Sequence, residues 1–291
     1  MAPTQTIIGD GKFDKAAPSD ETSVYRNELP LSIKPEAREL LVSYSGVDPD
    51  EVDAHVLALR DKAFQIRPYP CIGHFRFLTL SLSQSPRYGE ILQRLRKGET
   101  LLDVGCCFGQ ELRKLVDDGV PPAQLYGVDL EPIFVNFGYE LFRDREKFHA
   151  TFLFGDMFQH SPDTFESLAG KINVVWASSF LHLFGWEDQL SLCNRIVGFL
   201  KRKKGSTILG RQLGSVVPGN FPLQDLMQAE PYWHSPTSFR SLWDEVELAT
   251  KTKFEVCVTL DEQEFRYEDC REWGHPFMRR LLFTATLVGL E

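Results

Sequence analysis

The stretch Leu101–Leu115, LLDVGCCFGQELRKL, decides the fold. A short apolar run ends in an acid, two glycines enclose a pair of cysteines, and a helical pattern follows. Gly105 and Gly109 allow the backbone to turn sharply and to approach a ligand closely. The start of the next helix points unpaired backbone N–H groups at that ligand, which favours a carboxylate or a phosphate. The stretch therefore predicts the first strand, turn and helix of a ligand-binding α/β domain.

The two cysteines between these glycines are predicted to be packing residues. Cys106 and Cys107 are adjacent, so a bridge between them would strain the peptide, and their diverging side chains suit a metal poorly. The six cysteines of the chain form no CxxC pair. The sequence therefore predicts no metal site, and the glycines are the better indication of function.

Composition and charge limit the classes of function. The 291 residues are 43% hydrophobic and 25% charged, and the formal net charge is −9. A negative surface repels phosphate, which argues against a nucleic-acid partner. The sequence predicts no membrane span, because it has no long apolar run, and its first residues lack a secretory pattern. We expect a cytoplasmic protein with reduced thiols, and a homodimer is compatible with the sequence.

Strand and helix patterns alternate through the second half of the chain. Five apolar segments are separated by turns or helical patterns: TLLDV, LYGVDL, TFLFGDMF, INVVWASSFLHLF and STILGRQLG. This alternation predicts a parallel sheet with helices on both faces. Two later segments, KFEVCVTLDE and RRLLFTATLVGL, have no helix between them and predict an antiparallel hairpin. We predict a Rossmann-like, doubly wound, mostly parallel seven-stranded sheet over residues 85–291, with residues 213–238 as an inserted lid.

Residues 1–84 are predicted to form an N-terminal arm and a helical lid. The first 30 residues are polar with weak periodicity, which favours an arm. KPEARELLVSYSG and DPDEVDAHVLALRDKAF predict two helices, the second capped by Asp48. Two prolines bracket Tyr69 in RPYPCIGHFRFLTLSL, which predicts an extended connector. PRYGEILQRLRKG then predicts a further helix before the sheet.

The glycine turn does not fit a dinucleotide site. The G-x-G-x-x-G pattern would need glycine where the chain has Cys107 and Gln110. Asp103 also lies two residues before the first glycine of the turn. A carboxylate there is unfavourable beside a pyrophosphate, and it suits a ligand that carries an ammonium group. A dinucleotide oxidoreductase is therefore a weak interpretation.

The motif Asp103-x-Gly105-x-x-x-Gly109, with acids after the second and third strands, resembles class I S-adenosylmethionine-dependent methyltransferases. Their hallmark is an acid followed by G-x-G-x-G, from which this chain departs at Cys107. PCIGHFRFL, LLDVGCCFGQELRKL, LYGVDLEPIF, GYELFRDR and SSFLHLF are similar to the methyltransferases of fungal meroterpenoid pathways, of the andrastin, austinol and terretonin type. That resemblance implies S-adenosylmethionine as cofactor and an enzyme of secondary metabolism. It also implies that the acceptor is a farnesylated aromatic acid, whose carboxyl group becomes a methyl ester.

The resemblance also implies a role for each cofactor-site residue. Gly105 and Gly109 would lie under the methionine part of the cofactor, and Asp103 would face its ammonium group. Asp129, which ends YGVD, would accept hydrogen bonds from both ribose hydroxyls. Asp156 would accept one from the adenine amino group, with a helix N-cap as its alternative role. The predicted cofactor-binding residues are Asp103, Gly105, Gly109, Asp129, Leu130, Asp156, Met157 and Ser178.

The loops after the fourth and fifth strands are expected to face the acceptor. His182 is predicted to orient a carboxylate or to act as a base, and Arg211 to pair with a substrate carboxylate. A structural imidazole and an ion pair at the domain edge are the alternatives. A carboxylate needs no base at neutral pH, whereas a phenol does. The predicted substrate-binding residues are Tyr69, Phe75, Trp186, Gln212 and Trp233.

Two other interpretations keep the same fold. One is methylation of a phenol or of a nucleophilic carbon. The other is a protein that keeps the cofactor fold for chemistry without methyl transfer, such as cyclisation. Fold alone does not separate these from methylation of a carboxyl group.

Overall fold

The computed structural model describes residues 33–159, 163–221, 230–261 and 277–290, and the predicted arm over the first 30 residues lies outside these ranges. Nine strands are present in the described ranges: β1 (Leu101–Val104), β2 (Leu125–Asp129), β3 (Thr151–Phe154), β4 (Val174–Trp176), β5 (Thr207–Ser215), β6 (Gly219–Asn220), β7 (Tyr232–Trp233), β8 (Thr252–Asp261) and β9 (Met278–Leu290).

Seven of these strands form one sheet in the order β3-β2-β1-β4-β5-β9-β8. Strands β1 to β5 are parallel, and β9 runs antiparallel to both β5 and β8. This is the Rossmann-like sheet with a closing hairpin that the sequence predicts. Strands β6 and β7 pair separately, inside the predicted lid segment, of which residues 222–229 lie outside the described ranges. The strand order reverses between β1 and β4, so a ligand is expected outside the carboxyl ends of these strands.

Helices precede the sheet and cover both of its faces: α1 (Pro35–Glu39, continuing as π-helix over Leu40–Tyr44), α2 (Val52–Ile66), α3 (Pro70–Gly73), α4 (Tyr88–Arg96), α5 (Gln110–Asp117), α6 (Pro132–Phe142), α7 (Trp186–Phe199) and α8 (Pro236–Thr250). Helices α4 and α5 pack on one face of the sheet, and α7 and α8 pack on the other. None of the helices in the described ranges is long and apolar enough to cross a membrane.

The N-terminal helices share a core with the sheet domain. One buried apolar cluster joins Leu41, Val56 and Ile72 to Phe108 of the glycine turn and to Phe134 of α6. A separate ion pair, 2.6 Å between Arg67 and Glu131, links the end of α2 to the residue before α6. The described part of the N-terminal section is therefore packed against the edge where a ligand is expected. The predicted domain boundary after residue 84 stays a prediction.

Two local predictions for this section are wrong. The connector is not extended throughout, because it contains α3 and a 3₁₀ turn over Arg76–Leu78. Pro70 accounts for the first of these, since proline is favoured in the first turn of a helix while it holds Tyr69 before it in an extended conformation. Asp48 does not cap α2, which begins at Val52. Its carboxylate instead accepts a hydrogen bond from the Asp50 N–H in the preceding turn.

A buried ion pair joins α5 to the segment after α6. Arg113 and Asp144 are both almost fully buried, and two hydrogen bonds of 2.8 and 3.1 Å connect the guanidinium to the carboxylate. Tyr44 donates to the same carboxylate at 2.9 Å, and Arg113 Nη1 donates to the Phe108 carbonyl at 2.7 Å. The Arg113–Asp144 ion pair therefore connects the N-terminal helices to the glycine turn.

Replacing Asp144 by asparagine should destabilise the protein strongly. The substitution leaves the Arg113 guanidinium buried without a counter-charge, so we expect the free energy of unfolding to fall by about 3–5 kcal/mol. Chemical denaturation measures this change. The control is Asp53→Asn, which removes an exposed partner of Arg38 and should change the free energy by less than about 1 kcal/mol. Equal effects of the two substitutions would contradict the prediction.

Candidate functional site

The carboxyl ends of four parallel strands meet at one edge of the sheet. Asp103 lies one residue before the end of β1 and pairs in register with Gly127 of β2 and Trp176 of β4. Asp129 is the last residue of β2. Asp156 and Ser178 each follow the end of β3 or β4 by two residues. The fold therefore brings these four predicted cofactor-site residues to the same edge.

The glycine turn needs its glycines. Gly105 and Gly109 have φ angles of 71° and 65°, in the left-handed region that residues with a Cβ rarely adopt. A Cβ on Gly105 would also lie 3.0 Å from the ring of Phe180. Cys107 adopts φ 51° without being glycine, and its N–H donates to Asp129 at 2.8 Å. The departure from the glycine motif is therefore accommodated by the same backbone shape.

The cysteine side chains act in packing. Cys106 is buried, and its Sγ lies 2.9 Å from where a Cβ on Gly127 would be. Burial raises the pKa of the Cys106 and Cys107 thiols well above the ordinary value, so both are protonated at neutral pH. In the described ranges, no group of three or more His, Cys, Asp or Glu residues is arranged to hold a metal ion.

Two buried carboxylates, Asp103 and Glu111, and the half-buried Asp129 lie near the start of the turn. Asp103 is 4% exposed, and its Oδ2 has no hydrogen-bond partner within the described residues. Burial raises the pKa of Asp103 well above its ordinary value, and the nearby charges of Glu111 and Asp129 raise it further. Burial also raises the pKa of Asp129, against hydrogen bonds from the N–H groups of Glu131 and Cys107. A ligand with a positive charge would relieve this repulsion.

Glu111 is a member of this group that the sequence interpretation missed. Its carboxylate accepts hydrogen bonds from the Ser81 N–H at 2.7 Å, the Ser81 hydroxyl at 2.6 Å and the Leu82 N–H at 3.1 Å. The sequence does carry a signal, because Glu111 precedes buried Leu115 by four residues and so lies on the apolar face of α5.

The loop after β4 lies beside the end of β5. The Ser179 N–H donates to the Arg211 carbonyl at 2.7 Å. Burial raises the pKa of the Glu111 carboxyl. The positive charge of Arg211 lies near enough to oppose this rise. Gln212 follows on the opposite face of the sheet and is 2% exposed. Neither its amide nitrogen nor its amide oxygen has a hydrogen-bond partner in the part of the chain that the structure describes.

Two buried histidines lie in this region, and both are neutral. His182 belongs to a 3₁₀ turn over Leu181–Leu183, and burial lowers its pKa to about 4. Burial likewise lowers the pKa of His234 to about 4, while its Nδ1 lies 3.1 Å from the Ser238 hydroxyl. His234 was not selected from the sequence, where it lies between an aromatic pair and a helix cap with no distinguishing spacing.

An aromatic cluster lies next to His182. The ring of Trp186, at the start of α7, contacts Tyr232 edge-on at 5.1 Å between centroids. Trp233 is buried and stacks on Phe221 at 4.5 Å. The Tyr232 N–H donates to the Phe184 carbonyl at 3.0 Å, which fixes β7 against the turn that carries His182. The structure therefore places the predicted residues Trp186 and Trp233 on one side of the edge.

Other predicted residues are placed apart from this cluster. Tyr69 contacts Phe134 at 5.8 Å on the side of the N-terminal helices. Phe75 is buried in the N-terminal core, with the Arg60 guanidinium 4.4 Å from its ring centroid. Neither ring contacts the Trp186–Trp233 side in the interactions found among the described residues, and their substrate roles stay predictions.

The remaining predicted cofactor residues lie on the loops after β2 and β3. Leu130 is 57% exposed, and Met157 is buried. Asp156 is exposed and does not cap a helix. It lies in a turn in which its carboxylate accepts a hydrogen bond from the Phe158 N–H at 2.9 Å. One carboxylate oxygen of Asp156 is engaged in this bond, and its proposed contact with adenine stays a prediction.

Comparison with known proteins identifies the family. A model described as a meroterpenoid methyltransferase N-terminal domain matches residues 24–78, and one described as a methyltransferase domain matches residues 101–203. The O-methyltransferase phiE of a fungal species is 41% identical over 263 residues, which cover 89% of this chain and 87% of that protein. The asnovolin E/chermesin D methyltransferase nvfJ of Aspergillus novofumigatus is 39% identical, with coverage of 81% and 85%. The chain belongs to the fungal meroterpenoid methyltransferases.

This meroterpenoid methyltransferase is an enzyme that uses S-adenosylmethionine, as the sequence resemblance implies. Solved structures superpose on this chain only weakly and at low identity. Magnesium protoporphyrin IX methyltransferase from Synechocystis, with bound S-adenosylhomocysteine, superposes with a TM-score of 0.45 at 13% identity, over 86% of this chain and 92% of that one. The [4+2]-cyclase SpnF gives 0.48 at 15% identity, over 69% and 80%. At these scores the likeness bears on neither the acceptor nor the reaction.

The glycines of the turn, and not its cysteines, should control cofactor affinity. Gly105→Ala introduces a Cβ at positive φ and against Phe180, so binding of S-adenosylmethionine should weaken by about 1–2 kcal/mol, close to tenfold. Isothermal calorimetry measures the affinity. Cys106→Ala and Cys107→Ala are the controls and should leave it within about threefold. If the cysteine variants lost affinity and Gly105→Ala did not, the cysteines and not the glycines would control cofactor binding.

Cofactor affinity should rise with pH through the titration of Asp103. The raised pKa means that the unliganded site favours a protonated carboxyl, whereas a cationic ligand favours the carboxylate, so binding should release a proton. Calorimetry between about pH 5.5 and pH 7.5, where the ligand's own α-amino group stays protonated, measures this proton release in buffers of different ionisation heat. Asp103→Asn should flatten the pH dependence and weaken binding. Affinity that is independent of pH in the wild-type enzyme would contradict the prediction.

Replacing Asp103 by asparagine should also stabilise the unliganded enzyme. A carboxyl whose pKa is higher in the folded than in the unfolded state contributes stability below its unfolded pKa, and this contribution is lost as pH rises through the folded pKa. At neutral pH, Asp103→Asn should therefore raise the melting temperature while it lowers cofactor affinity. Asp117→Asn, an exposed change on α5, is the control and should not couple the two effects.

Proposed function

We propose that this enzyme methylates the carboxyl group of a farnesylated aromatic acid and gives a methyl ester within a meroterpenoid pathway. We choose a carboxyl group because burial lowers the pKa of both His182 and His234 to about 4, so neither imidazole is a strong base. Imidazoles of that basicity are poor acceptors for the proton of a phenol. A carboxylic acid is already ionised at neutral pH and needs no base.

The residues at the edge of the sheet fit the cofactor. S-adenosylmethionine supplies an electrophilic methyl group on a sulfonium and also carries an ammonium group. Asp103, buried and with an unpartnered oxygen among the described residues, is suited to face the ammonium. Asp129 is held in place by the N–H groups of Cys107 and Glu131, and its oxygens keep lone pairs for two ribose hydroxyls. Gly105 and Gly109 shape the backbone beneath the methionine part.

The loops beyond these strands complete the proposed cofactor site. Leu130 and Met157 are suited to pack on the two sides of adenine, one from the loop after β2 and one from the loop after β3. Asp156 keeps an acceptor oxygen for the adenine amino group. Ser178 is proposed to donate a hydrogen bond to the cofactor from the loop after β4.

The acceptor site is proposed to lie between the loop after β4 and the end of β5. Arg211 supplies the positive charge that orients a carboxylate beside the methyl group. His182 and Gln212 supply neutral hydrogen-bonding groups for the remaining oxygens of the acceptor. Buried polar atoms without partners are unfavourable, and a bound ligand with matching groups would satisfy them.

An apolar wall is available for the farnesyl chain. Trp186 contacts Tyr232, and Trp233, the next residue of β7, stacks on Phe221. Aromatic side chains bind prenyl groups through apolar contact and exclude water from the reacting atoms. The match to a meroterpenoid methyltransferase N-terminal domain supports a terpenoid acceptor of this general class. Catalysis then depends chiefly on holding the acceptor oxygen in line with the methyl group.

Two matched probes test the proposed acceptor. One is a farnesylated benzoic acid, and the other is the phenol with the same chain and a hydroxyl in place of the carboxyl group. With the full chain and S-adenosylmethionine, we expect mass spectrometry to find a methyl ester of the acid and no product from the phenol. At saturating S-adenosylmethionine the rate should be flat between about pH 6 and pH 9, because the acid stays ionised and His182 stays neutral.

The opposite outcomes are equally distinct. A methylated phenol formed at a rate that rises with pH would place a base in the site and would overturn the carboxyl acceptor. A product isomeric with the probe, without a new methyl group, would indicate cyclisation. Asp129→Ala is the cofactor-site control, in which we expect cofactor binding to weaken by about 1.5–3 kcal/mol.

A further inference from the structure

The turn after β3 carries two of the residues proposed to bind adenine. Asp156 and Met157 follow the strand, and the chain then turns over Met157 and Phe158. Within this 156–159 turn, the Phe158 N–H donates to the Asp156 carboxylate at 2.9 Å. The Gln159 N–H donates to the Asp156 carbonyl at 3.1 Å. Asp156 is exposed, so the direction of its free carboxylate oxygen depends on how the whole turn is held against the domain.

Arg195, in the second half of α7, holds this turn from outside. Its Nη1 donates to the Met157 carbonyl and to the Gln159 carbonyl, each at 2.8 Å. A terminal nitrogen of a guanidinium carries two hydrogens, so one atom serves both carbonyls at once. The side chain of Arg195 is only 6% exposed, and water therefore competes little for these bonds.

The guanidinium of Arg195 is itself fixed. Its Nη2 pairs with the carboxylate of Asp163, which also accepts a hydrogen bond from the Phe165 N–H at 2.9 Å. The guanidinium carbon lies 5.2 Å from the ring centroid of Phe165. The donors of arginine form a rigid planar group, so fixing one nitrogen sets the direction of the others. Lysine has one charged nitrogen on a flexible chain and cannot reproduce this arrangement.

The apolar contacts of the 156–159 turn are less specific. Met157 is buried, and the ring of Phe158 contacts Phe184 edge-on at 5.4 Å between centroids. Hydrophobic burial holds these side chains in the domain but is not directional. Hydrogen bonds are directional, and those from Arg195 act on the backbone of the turn. Arg195 is therefore suited to set the orientation of the peptides that follow Asp156.

We propose that Arg195 is a positioning residue for adenine. By fixing the Met157 and Gln159 carbonyls, it directs Asp156 towards the adenine amino group. It thereby sets the preference of the enzyme for adenine over a purine that lacks this group. The inference rests on the adenine contact proposed above for Asp156, and it is independent of which acceptor the enzyme methylates. Arg195 acts through the turn that it holds.

Two ligands that differ by one group test this role. They are S-adenosylhomocysteine and its analogue with hydrogen in place of the adenine amino group, each titrated calorimetrically into the full chain. A hydrogen bond to a carboxylate should make the wild-type enzyme prefer the adenine ligand about tenfold or more. Arg195→Lys keeps the charge but loses the fixed pair of donors, so the preference should fall to about threefold or less. Affinity for the analogue should change less than about threefold, because the analogue does not use Asp156.

Arg94→Lys is the matched control. The Arg94 side chain is 19% exposed, donates to the Gly205 carbonyl at 2.9 Å and pairs with Glu99 at 2.7 Å. These contacts lie before β5, at the opposite end of the sheet from the cofactor edge. The control variant should keep the wild-type preference. A general weakening of the cofactor site would lower the affinity for both ligands and leave their ratio unchanged, so the ratio separates positioning from a purely structural role.

Asp156→Ala distinguishes failure of this inference from failure of the adenine contact. The variant should lose the preference, and adding Arg195→Lys to it should change the ratio no further. If Asp156→Ala loses the preference and Arg195→Lys keeps it, the role of Arg195 is overturned and the adenine contact stands. If Asp156→Ala keeps the preference, or if the wild-type enzyme has none, the adenine contact and the role of Arg195 both fail.

A second variant decides the question if Arg195→Lys does not fold. Asp163→Ala changes an exposed residue and removes the partner of the Arg195 Nη2, so the guanidinium is free to turn away from the two carbonyls. It should lower the preference for the adenine ligand at least about twofold, with little change in affinity for the analogue. An unchanged preference in Asp163→Ala would overturn the proposal.

Discussion

The rest of the structure depends on the buried guanidinium of Arg113, which supports the glycine turn at the edge of the sheet where the cofactor is expected to bind. It donates to the Phe108 carbonyl inside the glycine turn, forms two hydrogen bonds to Asp144, and stacks 4.3 Å above the ring of Phe148. Tyr44 of the N-terminal section bonds to the same carboxylate. An ion pair in the interior is stable only when its hydrogen bonds are complete, and here they are shared among the turn, α5, the end of α6 and the N-terminal helices. The left-handed turn keeps its shape because these elements hold its carbonyls in place.

The front of the same turn has the opposite electrostatic character. Burial raises the pKa of the Asp103, Glu111 and Asp129 carboxyls, and the charges of Glu111 and Asp129 raise that of Asp103 further. This arrangement is unfavourable for stability and favourable for a ligand with positive charge, a conflict that is common at binding sites. The ion pair behind the turn holds the Phe108 carbonyl, and the carboxyls in front of the turn favour a ligand with positive charge.

The acceptor side depends on burial more than on charge. Burial keeps the imidazoles of His182 and His234 neutral, and His234 lies against the rings of Trp186, Tyr232 and Phe239. Trp186 and Tyr232 are half-buried and offer an apolar surface beside His234. Such a surface is suited to the prenylated acceptor that we propose for this enzyme.

The sequence by itself determined the strand and helix order, the closing hairpin, the glycine turn and the family. These features depend on local patterns, since periodicity, glycine spacing and a strand-end acid such as Asp129 are visible in short windows. Only the tertiary structure decided that Glu111 bonds to Ser81, thirty residues earlier, and that Arg113 pairs with Asp144. It also decided that the connector turns into α3 and that His182 is neutral. Pairing and burial depend on residues that are distant in the sequence, and no local pattern records which partners the fold will bring into contact.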